Sequence, residues 1–114
     1  MMLTAVLIAL NEEGHIDDCL SRLGFCDEIV VVDSGSTDRT CGMAAARGAR
    51  VTQRTFTDFA DQKNAAIGLA TGEWVLLIDA DERVGPELAE EIRRAIADTD
   101  ATGYWLEREN WLFG

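Results

Sequence analysis

Basic residues are scarce in this chain: 10 Lys and Arg stand against 21 Asp and Glu, leaving a formal net charge of −11. Such a surface repels phosphate backbones and anionic bilayers, so no nucleic acid and no charged membrane face is expected as a partner of this segment. A negatively charged substrate remains compatible provided that a metal ion accompanies it. Long apolar runs are missing too. None approaches the roughly 20 residues of a membrane span, and the first residues lack the basic region of a signal peptide, so Leu3 to Leu10 reads as a buried strand. Histidine occurs once, at His15, and the three cysteines Cys19, Cys26 and Cys41 lack the close pairing of a zinc or redox motif. Reduced thiols in a cytosolic protein are the expectation. With one proline, Pro86, and no repeats or low-complexity tracts, nothing divides residues 1–114 into separate units.

What is present is the material of one domain. A hydrophobic share of 47% in 114 residues suffices for a real core. Leu3 to Leu10, Ile29 to Val32 and Val75 to Ile78 have the continuous aliphatic character of strands buried on both faces. Val51 to Phe56 reads as a further, less apolar strand. Between them, Ile16, Cys19, Leu20 and Leu23 recur at helical spacing before Gly24. Ser36, Thr37 or Asp38 offers an N-cap to a small-residue helix through Met43 to Ala46 that ends at Gly48, and Asp58 caps a helix carrying Ala60, Lys63, Asn64, Ile67 and Leu69. Pro86 suits the first turn of a fourth helix, whose Leu88, Ile92 and Ile96 share a face. Tyr104 to Trp111 resumes as one strand-like aromatic stretch. Alternating strands and helices predict an α/β fold with a largely parallel sheet.

Each of the three aliphatic runs stops at a polar loop bearing acids: Asn11-Glu12-Glu13-Gly14, Asp33-Ser34-Gly35-Ser36-Thr37-Asp38 and Asp79-Ala80-Asp81-Glu82. Ligands of open α/β sheets bind just beyond the carboxyl ends of the strands, so this convergence favours a binding site. In an extended segment alternate side chains point the same way, which would let Asp79 and Asp81 meet at one spot. Two carboxylates held together are costly unless a cation compensates them, and a hard divalent ion, Mg²⁺ or Mn²⁺, carrying substrate phosphates is the natural compensator. The spacing alone equally describes a solvated turn.

Taken in order, Ala9-Leu10-Asn11-Glu12-Glu13, Val31-Val32-Asp33-Ser34-Gly35-Ser36-Thr37-Asp38, Lys63-Asn64 and Asp79-Ala80-Asp81-Glu82 resemble the motifs of the inverting glycosyltransferases of family 2, over nearly the whole chain. Phe59-Ala60-Asp61-Gln62-Lys63-Asn64, Trp74 and Arg108-Glu109-Asn110 are similar to the bacterial branch that builds lipopolysaccharide cores, where a glucosyl group is typically moved from UDP-glucose. The resemblance implies the three-layer, Rossmann-like GT-A fold of nucleotide-diphospho-sugar transferases, with residues 1–114 as its nucleotide-sugar-binding half. It also implies a UDP-sugar donor, a divalent metal, and a saccharide or lipid-linked acceptor held by chain beyond Gly114. The parent enzyme is then expected in the cytoplasm or at the cytoplasmic face of the inner membrane.

Carried over by motif, the backbone of Ala9 and Leu10 with Asn11 and Glu13 would line the uridine, and Asp33 would accept a hydrogen bond from the uracil ring. Lys63 would reach the nucleotide or its phosphates. Asp79 and Ala80 would lie beside the ribose, with Asp79 sharing the metal whose main ligand would be Asp81. Asn64 is expected to brace the loop after the second strand. Trp105 and Trp111 offer rings for a sugar or for the core. Structural roles stay open beside these: Asn11 and Glu13 as a capped helix start, Asp33 as a turn former, Lys63 as a snorkelling surface lysine. No residue presents itself as the general base of an inverting transfer, so that base is expected beyond Gly114, and the 114-residue chain alone is expected not to transfer sugar. Three other functions compete. A non-catalytic nucleotide-binding or interaction module needs none of this chemistry. A sugar-nucleotide nucleotidyltransferase would want a Gly-rich, basic loop where Asn11-Glu12-Glu13-Gly14 is acidic. A phospho-acceptor signalling domain would want its acceptor Asp on a later strand.

Overall fold

Side chains of the first strand, β1 (Leu3–Ala9), sort by parity as a pleated strand requires. Leu3, Ala5, Leu7 and Ala9 enter one core cluster, while Val6 enters a second on the opposite face of the sheet. The next strand, β2 (Glu28–Asp33), sends Val31 to the first cluster and Val30 and Val32 to the second. β4 (Trp74–Leu77) divides Trp74 and Leu76 from Val75 in the same manner. Both faces are therefore covered, which is why these runs are aliphatic throughout and not alternating. The computed structural model describes residues 2–97 together with the backbone of two short strands at 103–105 and 111–113.

Three helices cover the larger cluster. α1 (Ile16–Ser21) contributes Ile16, Cys19 and Leu20, α2 (Thr40–Ala46) contributes Ala44, and α4 (Pro86–Ala97) contributes Leu88, Ala89, Ile92 and Ala95. α3 (Phe59–Leu69) covers the other face through Ala66, with Ile67 and Leu69 packed alongside. The result is three layers. Fully burying a side chain such as Leu7, Leu76 or Ile92 contributes about 2 kcal/mol. No helix among the described residues is long and apolar enough to cross a membrane.

With β3 (Arg50–Gln53), β5 (Gly103–Trp105) and β6 (Trp111–Phe113), the sheet runs in the order β3-β2-β1-β4-β6-β5. The first four strands of that order are parallel, and β6 runs antiparallel to both β4 and β5. The chain thus winds from β1 outward to β3, then crosses back to place β4 on the other side of β1. This reversal opens a crevice beyond the carboxyl ends of β1 and β4. Register sets its depth: Ala9 pairs with Asp33, whereas the β4 pairing ends at Val6–Leu77, followed by an Ile78 N–H to Val6 O bond of 3.2 Å. Asp79 therefore emerges lower on β1 than Asp33 does.

Some elements depart from expectation. The third strand ends at Gln53, and after the Arg54 N–H bond to Asp33 O the chain leaves the sheet, so Thr55 and Phe56 form a loop. The N-cap of α2 is Arg39, which makes no side-chain cap bond; the Asp38 carboxylate instead accepts from the Thr40 N–H at 3.0 Å. Asp58 does cap α3, accepting from the Asp61 N–H at 2.8 Å. The single strand expected over Tyr104 to Trp111 is two antiparallel strands, and the side chains of Trp105 and Trp111, like all of Arg108-Glu109-Asn110, lie outside the described residues. At the entrance to β4 the chain passes so close to β1 that a Cβ on Gly72 would stand 2.7 Å from Thr4 Oγ1 and 3.0 Å from Met2 O. Only glycine fits there.

Candidate functional site

A cavity of about 450 Å³ occupies the crevice. β1 and its loop supply Ile8, Ala9, Leu10 and Glu12; the β2 loop supplies Ser34; the turn after β4 supplies Asp79, Ala80 and Asp81; Phe56 and Phe59 close the side next to α3. Its rim is unusually apolar for a surface feature. Among the described residues four large hydrophobic side chains are exposed, and three of them, Leu10 at 53%, Phe56 at 42% and Phe59 at 67%, line this one cavity. Phe56 and Phe59 meet edge to face, with ring centroids 5.2 Å apart. An apolar rim over a pair of carboxylates suits a ligand with a planar, weakly polar end and a charged end.

Asp79 and Asp81 both line this cavity, and they sit on a turn and not on an extended segment. The strand is already over at Leu77, and Glu82 N–H bonds Asp79 O at 3.0 Å, closing a four-residue turn. The Glu82 carboxylate accepts from the Asp79 N–H at 3.0 Å, and the buried Cys19 thiol lies 3.8 Å from Asp79 O. Burial pushes that thiol up to about 11, so it remains a protonated donor. Ala80 is buried, which anchors the turn and leaves both aspartates exposed on the cavity wall.

The loops after β1 and β2 form a clasp. Asn11 has φ +52°, a left-handed conformation that asparagine tolerates better than most residues. From there three successive amides reach across: Asn11 N–H to Ser36 Oγ at 2.8 Å, Glu12 N–H to Thr40 Oγ1 at 2.9 Å, and Glu13 N–H to Asp38 Oδ2 at 3.2 Å. Asn11 Oδ1 accepts in return from Thr37 N–H at 2.9 Å. The Asn11 side chain is thus engaged with the neighbouring loop, and the Glu13 carboxylate pairs with Arg39; of the early acids it is Glu12 that lines the cavity.

Asp33 is fully buried and does not line the cavity. Its carboxylate accepts from Gly35 N–H at 3.1 Å, Ser36 N–H at 2.8 Å and the Ser36 hydroxyl. Burial alone would raise its pKa, but the Ser36 and Gly35 donors outweigh it, and the group sits below its ordinary value. Asp33 shapes the loop that presents Ser34.

Helical phase separates three consecutive candidates on α3. Gln62 and Ala66, one turn apart, face the sheet, which leaves Lys63 and Asn64 exposed. The brace to the β2 loop, expected from Asn64, therefore comes from Gln62, whose Nε2 donates to Ser34 Oγ at 3.0 Å and Arg54 O at 3.2 Å. Lys63 lines a smaller adjoining hollow of about 290 Å³ that shares Ile8, Phe59 and Asp79 with the main cavity. It is the only lysine in the sequence. Among the described residues every arginine is ion-paired and Lys63 is not.

Sequence comparison places the fold around this crevice in a family. Residues 4–111 fit the family model described as glycosyl transferase family 2. This chain belongs to glycosyl transferase family 2. The lipopolysaccharide core biosynthesis glycosyltransferase LpsC of Rhizobium meliloti (strain 1021) is 36% identical over 118 residues, covering 98% of this chain and 44% of LpsC. Residues 1–349 of S. aureus TarS, solved in complex with UDP, superpose with a TM-score of 0.73 at 26% identity, covering 90% of this chain and 34% of that one. The glucosyl-3-phosphoglycerate synthase of Mycobacterium tuberculosis, solved with Mn²⁺, UDP and phosphoglyceric acid, gives a TM-score of 0.60 at 33% identity, covering 72% and 34%. The fold of this family 2 chain is the GT-A fold of those transferases, and the chain spans less than half the length of the curated relative it matches.

Among the described residues no cluster of three or more His, Cys, Asp or Glu stands ready to cage a metal. The donor set nevertheless suits Mg²⁺ or Mn²⁺. Such ions are commonly held by one or two carboxylates and completed by substrate phosphates and water, and Asp79 with Asp81 is a two-carboxylate set open to the cavity. Sequence reading missed Ile8, Glu12, Ser34, Phe56 and Phe59.

Proposed function

We propose that this chain binds the donor in a metal-dependent, inverting transfer of a hexosyl group, glucosyl being our first choice, from a UDP-sugar to a saccharide or lipid-linked acceptor of cell-envelope polysaccharide or lipopolysaccharide. The observation that carries the proposal is the cavity in which exposed Leu10, Phe56 and Phe59 face the same space as Asp79 and Asp81. The UDP complex of TarS and the Mn²⁺–UDP complex of the mycobacterial synthase support it on the same fold. The acidic Glu12 in the cavity disfavours a nucleotidyltransferase, whose triphosphate would need cations there.

In this reading the base packs against the Phe56–Phe59 edge and Leu10, with the Ala9 and Leu10 backbone beside the uridine. Asn11, Glu13 and Asp33 act through the clasp that holds the two loops in place; a contact from Asp33 to the uracil ring would require its loop to open, since the carboxylate is fully buried. Asp81, with Asp79, holds the divalent ion, Ala80 and Asp79 flank the ribose, and Lys63 neutralises the diphosphate from the adjoining hollow. When bound, the ion acts as a Lewis acid that stabilises charge developing on the departing UDP. The general base, the acceptor platform and placement at the cytoplasmic face of the membrane we assign to the longer protein.

The test is calorimetric titration with UDP in Mn²⁺ or Mg²⁺ and in chelator. UDP binds more tightly with metal, and Asp81→Asn, which keeps the shape and removes a charge, abolishes most of the difference. Equal UDP affinity with and without metal would sink the assignment.

A further inference from the structure

Arg83 bonds both to the acidic turn and to α1, and it belongs neither to the residues lining the cavity nor to any motif singled out in the sequence. Its Nη1 donates to Ala80 O at 3.2 Å and to Glu82 O at 3.0 Å, gripping two carbonyls of the turn that carries Asp79 and Asp81. Its Nε donates to Asp18 Oδ2 at 2.6 Å, and its Nη2 lies 3.1 Å from His15 Nδ1. One planar guanidinium thus ties the turn to both the N-cap and the first turn of α1. Asp18 is shared with Arg22, and the Arg83 hydrogen bond holds its carboxyl below the ordinary value, as the pairing requires.

We infer that Arg83 is a positioning residue for the metal-binding pair: it holds the Asp79–Glu82 turn in its binding shape against the mutual repulsion of Asp79 and Asp81 before any cation arrives. Two exposed carboxylates in one short turn repel each other, and the turn's other anchors, its two Asp79–Glu82 bonds of 3.0 Å and the buried Ala80, make no bond to Asp81. Fixing the Ala80 carbonyl fixes the peptide plane that leads into Asp81, and fixing the Glu82 carbonyl fixes the plane that leaves the turn, so Asp81 is held from both ends. Lysine cannot replace this device. Its ammonium is a point charge, whereas the fork of arginine spans two carbonyls, a carboxylate and an imidazole in one plane. Groups that orient metal ligands without touching the metal typically cost 10–100-fold in metal affinity when removed, roughly the effect expected here.

The inference rests on the proposed metal role of Asp79 and Asp81, and the experiment separates the two. UDP binding is measured by calorimetry across a MnCl₂ series for the wild type, Arg83→Gln, Arg83→Lys, Asp18→Asn and, as control, Arg47→Gln, which breaks an exposed ion pair with Asp17 away from the cavity. The Mn²⁺ needed for half-maximal UDP binding rises about tenfold in both Arg83 variants and less in Asp18→Asn. UDP affinity in chelator stays at the wild-type value throughout, and Arg47→Gln matches the wild type. A residue that merely supported the fold would weaken UDP binding equally with and without Mn²⁺, and that result overturns the inference, as does an unchanged Mn²⁺ requirement in Arg83→Gln. Should Arg83→Gln fail to give a folded circular dichroism spectrum, Arg83→Lys and Asp18→Asn decide by the same criterion. A wild type indifferent to Mn²⁺ would overturn the metal reading itself.

Discussion

The loop after β2 and the turn after β4 carry the same written signature, an aliphatic strand running into aspartates, and the fold gives them opposite work. Asp33 is fully buried, with both carboxylate oxygens occupied by donors from its own loop. Asp79 and Asp81 are exposed, and the turn is held by main-chain carbonyls and by Glu82, so that their carboxylates remain open to the cavity. A carboxylate already saturated by the protein builds the site; one left unsaturated is available to a ligand. The difference arises from register. Asp33 ends level with Ala9 and continues the sheet, whereas Asp79 comes after the β4 ladder has ended.

The sharpest way to break this comparison is to truncate each acid. Asp33→Ala leaves two partly buried loop amides and a hydroxyl without their acceptor and should destabilise the fold by about 2 kcal/mol, read from urea unfolding. Asp79→Ala and Asp81→Ala should each stay within about 0.5 kcal/mol of wild type in the same experiment, since no described hydrogen bond to either carboxylate is lost. If Asp33→Ala proves neutral, the contrast between the two regions collapses.

A smaller effect sharpens the open side of the comparison. Phe59 is 67% exposed, so Phe59→Ala should not move the unfolding midpoint. It should nevertheless weaken UDP binding about tenfold, within the range of base–aromatic stacking, by equal factors with and without metal. Loss of stability with unchanged UDP affinity would return Phe59 to a structural role.

The smallest effect is acid sensitivity. Asp33 and Asp38 both sit below their ordinary value of 3.8, Asp33 because Ser36 and Gly35 donors outweigh its burial, Asp38 chiefly through the Thr40 hydroxyl. A depressed folded-state pKa means that the stabilisation is complete above the unfolded value and is lost as pH falls through the folded one. The urea midpoint of the wild type should therefore fall modestly between about pH 5 and about pH 3, and less so in Asp33→Asn. An identical fall in both would remove Asp33 from the clasp.

Much of the fold was legible because it depends on short-range pattern. The aliphatic runs marked β1, β2 and β4, Asp58 announced α3, and Pro86 with Leu88 and Ile92 announced α4. The aromatic stretch misled, since a two-stranded return has the same composition as one strand. Within the site, the strand-end loops that line the cavity are legible, but the brace expected from Asn64 comes from Gln62, because composition does not fix helical phase, and Asp79 and Asp81 share the cavity wall through a turn and not through an extended segment.

By itself, then, the sequence determined the alternation of elements, the three acid-bearing strand ends and the membership in glycosyl transferase family 2, because each is written in residue spacing along the chain. Only the tertiary structure decided which aspartate is buried, that Phe56 and Phe59 rim the cavity, and that Arg83 reaches from the acidic turn to α1. Those facts depend on strand register, on helix phase and on contacts between residues as far apart as His15 and Arg83, and no local pattern encodes distances across a fold.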